Sequence, residues 1–178
     1  MATDYFVGMD YGDYKNTLKF SSKFGVSSFS GTGTIKDKNI GIKFGIDNIA
    51  NGRAYISYGD KVNSTVQNVD LKYTSAALNY DYYIGKYDSF TPYIGASLGY
   101  AKLTRTDEDS LGSASGSGME YGVKIGSLVS ITDNANFEIG YGYAKSNAEA
   151  TSNYALGDIV IFGADTIKGF YVGFNYKF

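Results

Sequence analysis

In eight stretches of this chain every second residue is apolar or aromatic, and none of the residues in those apolar rows is charged. A period of two is the strand period, because successive strand side chains point to opposite faces. Tyr5, Val7, Met9 and Tyr11 form the first row, and Ile40, Ile42, Phe44 and Ile46 the second. Ala54, Ile56 and Tyr58 follow, then Leu78, Tyr80, Tyr82 and Ile84, then Ile94, Ala96, Leu98 and Tyr100. The last three rows are Tyr121, Val123 and Ile125; Phe137, Ile139, Tyr141 and Tyr143; and Phe170, Val172, Phe174, Tyr176 and Phe178. Eighteen Tyr, 11 Phe and a single Pro suit strands, since Pro cannot donate to a ladder. The reading is therefore all-β with eight antiparallel strands. A ten-stranded reading stays open, because Leu18, Phe20, Phe24 and Val26 lie in the first long connection.

The connections alternate in length. Short turns fall at 47–52, 85–91 and 132–136, and long connections at 13–37, 61–72, 103–117 and 145–165. Short turns on one side and long loops on the other are the pattern of an up-and-down barrel that crosses an outer membrane. No apolar run approaches 18 residues, so no helix of this chain spans a membrane. Mean hydropathy is −0.20, as expected when apolar and polar residues alternate and cancel.

A soluble barrel and a membrane barrel share the period and differ in which face is apolar. Opposite the apolar rows stand Asp10, Lys43, Asp47, Arg53, Asp81, Glu120, Lys124, Glu138 and Lys177, with about half of the 23 glycines. An eight-stranded lumen is just wide enough for side chains, and it cannot hold eight rows of Tyr, Phe and Ile. It can hold long charged side chains if glycines face them. The charged face therefore points inward and the apolar face outward. A Lys or Arg facing lipid at mid-bilayer costs about 2–4 kcal/mol, which accounts for the charge-free rows. Residues 1–178 read as one domain, a transmembrane β-barrel. No secretion signal is visible before Thr3-Asp4, so the reading expects a mature form with an added initiator Met.

The chain has no His and no Cys. Ser-His and Cys-His nucleophilic sites are excluded, disulfides are excluded, and the usual zinc and haem sites lack their ligands. A net charge of −2 suggests no nucleic-acid partner. No cofactor or metal is expected. Asp10, Asp81, Glu120 and Glu138 could meet inside the barrel, and paired carboxylates can hydrolyse glycosides. The favoured expectation is an ion-pair network of these acids with Lys43, Arg53 and Lys124, filling the lumen. Asp107-Glu108-Asp109 reads as a solvated acidic loop without an EF-hand pattern, and the Gly112 to Gly118 stretch as a flexible loop. Lys15, Lys19, Lys23, Lys36 and Lys38 read as surface charge that could also meet anionic lipopolysaccharide or a host ligand. Ile159-Val160-Ile161-Phe162 either continues a strand or marks a partner contact.

The end of the chain, Tyr171-Val172-Gly173-Phe174-Asn175-Tyr176-Lys177-Phe178, resembles the terminal signal of bacterial outer-membrane barrels, with Gly173, Tyr176 and Phe178 at its marked positions. The segment Phe90 to Tyr100 resembles the fifth strand of opacity-like and OmpA/OmpX-like small barrels. The resemblance implies an integral outer-membrane location in a Gram-negative bacterium. It implies outer-membrane lipid and lipopolysaccharide as surroundings, a barrel-assembly machinery that reads the last strand, and a monomer. Enzymes among such barrels rely on a His, which this chain lacks, so the resemblance implies a non-enzyme. No periplasmic peptidoglycan-binding domain is read after the barrel, so that anchoring role of the family is not expected here. The expected role is an envelope scaffold or a surface binding and adhesion protein with four long extracellular loops. The alternative is a narrow porin-like channel through the charged lumen.

Overall fold

A computed structural model of the chain describes residues 4–24, 27–66, 69–107, 113–153 and 159–178. The strands are β1 (Asp4–Phe24), β2 (Ser27–Ile49), β3 (Gly52–Val66), β4 (Val69–Tyr83), β5 (Phe90–Asp107), β6 (Ser113–Ser130), β7 (Ala135–Ser146), β8 (Glu149–Asn153) and β9 (Ile159–Lys177). Sequential neighbours pair antiparallel from β1 to β7, β7 pairs with β9, and β9 pairs back onto β1. This makes a closed ring of eight. β8 adds no ninth stave. It pairs with Ile159–Gly163 of β9, above the stretch that β7 covers. Across the break between β7 and β8, Asn147 N–H donates to the Met119 carbonyl at 3.1 Å, and Ala164 N–H donates to the Ala148 carbonyl at 2.9 Å. The ten-stranded alternative therefore does not hold.

The expected short turns are the tight end of the barrel. Between β2 and β3, Asn48, Ala50 and Asn51 have φ of 59°, 48° and 59°. Asn accepts this left-handed conformation readily, whereas Ala does not. The Tyr80 hydroxyl donates to the Ala50 carbonyl at 2.6 Å, and the Asn51 side-chain amide donates to the Tyr83 carbonyl at 3.0 Å. These bonds hold the strained corner.

The long connections differ from the expectation of four long loops. Most of their length is paired strand. β1 and β2 stay in register from Asp4↔Asp47 to Phe24↔Ser27, β3 and β4 reach Val66↔Val69, and β5 and β6 reach Thr106↔Ser113. Ser113 to Gly118 belongs to β6 and pairs with β5, so it is not a flexible loop. Ile159 to Phe162 begins β9 and pairs with β1 and β8. Glu108 and Asp109 lie outside the described residues. The physical reason is that a hairpin can continue its ladder into water wherever its interior side still has something to bury. β2, at 23 residues, is about 76 Å long at ~3.3 Å per residue and roughly 58 Å tall at a tilt of ~40°. A membrane band is only ~25 Å tall.

The interior explains what the extra height buries. Along β5 the outward row runs Ile94, Ala96, Leu98, Tyr100, Lys102, Thr104, and the inward row runs Tyr93, Gly95, Ser97, Gly99, Ala101, Leu103. With no change of register, the outside turns from apolar to polar at the level where the inside turns from polar to apolar. The other staves follow. Outward, Tyr11 gives way to Asp13 and Lys15, Ile40 to Lys38, Tyr143 to Lys145 and Phe170 to Lys168. Inward, Leu18, Leu71, Tyr73, Ala101, Leu103, Ala144 and Ile167 form a buried apolar cluster, with Tyr14, Ile35 and Phe162 packed against it. Below the change the outward residues are open to their surroundings, with Phe170 69% exposed and Leu78 63%. The lower half is thus built for lipid and the upper half for water.

Leu103 is 1% exposed within the upper cluster. Leu103→Ala should cost about 2–5 kcal/mol of local stability. Hydrogen exchange should then speed up in the upper parts of β4, β5 and β6, with the lower ladder still protected; uniform loosening of both halves would contradict a separate upper core.

Candidate functional site in the closed lumen

The inward row of the lower half brings the expected charged residues together. Glu138, on β7, is fully enclosed. Its Oε1 accepts from Arg53 Nη2 at 2.7 Å and from the Tyr93 hydroxyl at 2.6 Å. Its Oε2 accepts from Lys43 Nζ at 2.7 Å and from the Asn175 amide at 3.1 Å. Four donors fill the four lone-pair positions of a carboxylate. Arg53 also reaches across to β4, where Nε and Nη2 bond Asp81 Oδ2 at 2.9 and 2.7 Å. Lys124 meets Asp81 Oδ1 at 3.0 Å and the Asn79 amide oxygen at 3.2 Å, and it donates to the Tyr55 hydroxyl. Lys43 lies 3.5 Å from Asp10 at the upper edge of the cluster. Asp10, Asp81 and Glu138 balance Lys43, Arg53 and Lys124. Three acids against three bases leaves this belt of the lumen neutral.

Glu120 stands apart, higher in the barrel. It is buried and accepts from the Tyr73 hydroxyl at 2.7 Å. Asp47 and Lys177, also on the charged face, pair with each other at the lower mouth, where the Tyr83 hydroxyl donates to Asp47. Tyr83, Tyr93 and Leu128 pack together beside them as a second buried cluster.

Several members of the site were not singled out from the sequence. The Arg53 guanidinium lies over the rings of Phe6, Tyr55 and Tyr93 at 5.1 to 5.5 Å. The Tyr93 and Tyr171 hydroxyls bond each other at 2.6 Å. Asn79, Asn136 and Asn175 supply neutral donors and acceptors between the charges. Their signal was parity: each falls on the inward row. Charge marks that row, and its tyrosines and asparagines carry none. The inward glycines give these groups room. A Cβ on Gly126 would stand 2.6 Å from the Tyr93 hydroxyl, and one on Gly95 would stand 2.7 Å from Lys124 Cε.

Between the ion pairs and the upper apolar cluster lies a small cavity of about 110 Å³, bordered by Asp10, Lys43 and Lys124 and also by Tyr14, Ala144 and Ile167. On the outer surface, at a register shift in β9, Lys19 bonds Asp165 at 2.6 Å. That bond holds the Asp165 carboxyl below the usual carboxylate range. Among the described residues no group of three or more metal-ligating side chains comes together.

A closed ring of eight antiparallel strands with a charge-free apolar belt around its lower half and a charged interior behind that belt defines an integral outer-membrane β-barrel. Comparison with known proteins agrees on the fold. No family model matches the chain and no curated protein matches it in sequence. Among solved structures, the chain is similar to Neisserial surface protein A, with 17% identity, a TM-score of 0.68 and full coverage of both chains. It is also similar to the outer-membrane protein OprG of Pseudomonas aeruginosa, with 18% identity and a TM-score of 0.65 over 98% of this chain and 96% of the other. The outer-membrane protease OmpT of Escherichia coli shares 6% identity and a TM-score of 0.57 over 100% of this chain and 99% of its own. At such identities the likeness is one of fold.

Removing Glu138 would leave Lys43 and Arg53 buried with fewer partners. Glu138→Ala should cost about 3–5 kcal/mol, the usual penalty for breaking a buried pair, read as a lower urea midpoint of the barrel in lipid vesicles. Glu138→Gln keeps the shape and some of the hydrogen bonds, and should cost less. Equal midpoints for Glu138→Ala and the unaltered chain would show that the network adds no stability.

Proposed function

We propose that this protein is a non-enzymatic outer-membrane barrel that works at the cell surface, as an envelope scaffold or as a binding and adhesion protein. Its contact surface is the tall, water-facing half formed by the four extended hairpins. The observation that carries this reading is the closure of the lumen at three levels. Asp47, Lys177, Tyr83, Tyr93 and Leu128 close the lower mouth, the ion pairs around Glu138 fill the middle, and the cluster of Leu18, Leu71, Tyr73, Leu103 and Ile167 fills the upper part. A filled lumen supports a protein that acts through its outside. The saturated Glu138 carboxylate and the absence of His support a non-enzyme, since general acid–base work needs a group free to exchange a proton with substrate.

Gly173 and Tyr176 lie on the strand that closes the ring and Phe178 directly follows it, its N–H donating to the Tyr5 carbonyl at 3.0 Å. Tyr176 and Phe178 project outward, 49% and 64% exposed. In this proposal they are the signal that the assembly machinery reads before β9 joins β1. The belt is apolar on every stave, which supports a monomer surrounded by lipid.

The second reading is a narrow conduit, and the cavity above the ion pairs, with Asp10, Lys43 and Lys124 on its wall, is the observation in its favour. Planar-bilayer recordings separate the two: the unaltered chain should give no discrete conductance steps at any voltage. Regular steps would favour the conduit. For the surface role, bacteria displaying a chain whose β3–β4 hairpin is cut back to Asp60 and Thr74 should adhere less to host-cell monolayers, with the folded barrel retained. Unchanged adhesion after trimming each of the four hairpins in turn would remove the binding role.

A further inference from the structure

On four adjacent staves the first two outward positions above the apolar belt carry an unusual density of positive charge. They hold Lys145 on β7, Lys168 on β9, Asp13 and Lys15 on β1, and Lys38 and Lys36 on β2. Five lysines against one aspartate give this strip a charge of +4, on a chain whose net charge is −2. Three of them stand in direct register. Lys15 pairs with Lys36 on one side and with Lys168 on the other. Directly opposed residues on one face have Cβ atoms about 4.5–5.5 Å apart, and like charges there repel. Among the described residues, no carboxylate lies within ion-pair distance of Lys15, Lys36, Lys38, Lys145 or Lys168; the acid whose charge Lys145 feels, Asp165, is bonded to Lys19. The opposite wall is different. There Lys72 lies 3.4 Å from Asp60, and Lys102 faces Thr74 and Ser117.

We infer that the Lys36–Lys15–Lys168 row, flanked by Lys38 and Lys145, binds the phosphate groups of lipopolysaccharide in the outer leaflet. The row begins where the apolar belt stops: Lys168 sits across from Tyr143 and one outward position above Phe170. A ligand that satisfies the site must offer negative charge to the lysines and acyl chains to the tyrosines and phenylalanines just below. A phosphorylated lipid does both, and free phosphate does only the first. Ammonium groups pair with phosphate as compact point charges, and a row of three can hold more than one phosphate. The inference rests on the apolar rows being the lipid-facing band.

The test uses the full chain in detergent micelles, with native mass spectrometry to count bound lipid. The probes are lipid A with its phosphates and the same lipid with the phosphates removed. The unaltered chain should retain the phosphorylated lipid at least ten times better. The triple variant Lys15→Gln, Lys36→Gln, Lys168→Gln should lose that preference, whereas Lys72→Gln, Lys102→Gln on the opposite wall should keep it. Equal retention by the triple variant, equal retention of the dephosphorylated lipid, or full displacement of the lipid by millimolar inorganic phosphate would overturn the proposal. If the triple variant does not fold, Lys15→Gln alone suffices through a change of sign. It should raise the melting temperature in uncharged detergent, where only repulsion is lost, and lower it in vesicles containing lipid A. The same sign in both media overturns the proposal. A heat-modifiable gel band of the unaltered chain is run alongside; its absence would strike the barrel reading itself, not the lysine row.

Discussion

Hydrocarbon offers a peptide group no partner except another peptide group. Each unpaired N–H or C=O there costs several kcal/mol, so a sheet in lipid must have no edge. In this protein the pairing of β1 with β9, from Phe6↔Lys177 to Lys23↔Ile159, removes the last edge. The rest depends on that seam. It sets the lumen width, and the width decides that long charged side chains and glycines must share the inside. It also brings Lys15 beside Lys168, residues at opposite ends of the chain.

Closure creates a second problem, since charge placed inside a narrow ring loses most of its water. The lumen answers with matched numbers and with neutral intermediaries. Arg53 bridges Asp81 and Glu138 and is stacked among three aromatic rings. A buried ion pair adds little net stability over an apolar substitute, but it strongly penalises any arrangement that separates the partners. Glu138, Arg53, Asp81, Lys43 and Lys124 come from five different staves. Their mutual contacts are met only when those staves stand in one relative stagger.

The lower half of the barrel was legible because lipid imposes a simple rule on its outward row. Ile94 to Tyr100 and Phe170 to Phe178 read as strands at sight, and the charged residues fell on the inner face by parity. The upper half was not, because the rule reverses there. Ala101, Leu103, Leu18 and Ile167 are apolar at inward positions, so the alternation loses its phase near Tyr100, near Tyr11 and near Phe170. A row that changes phase looks like the end of a strand, and Ser113 to Gly118, with no large side chain to keep any phase, looks like a linker. Pairing with the neighbouring stave keeps these segments extended, as Thr106↔Ser113 and Ala101↔Gly118 do for the start of β6, and side chains without a repeating pattern do not report that pairing. The ligands of Glu138 were half legible: Lys43 and Arg53 carry charge, whereas Tyr93 and Asn175 announce themselves only through position.

The exchange of polarity between the two faces acts as a waterline. A uniformly apolar cylinder can ride high or low in a bilayer at small cost. This barrel cannot. Sinking by one outward position would carry Lys145, Lys168 and Lys38 toward the hydrocarbon, and rising by one would lift Phe170, Tyr143 and Ile40 into water. The draught of the molecule is therefore held, and with it the height at which the paired upper ladders, such as those reaching Phe24↔Ser27 and Thr106↔Ser113, stand above the apolar belt. Anything that recognises that upper half would meet it at a constant height above the belt.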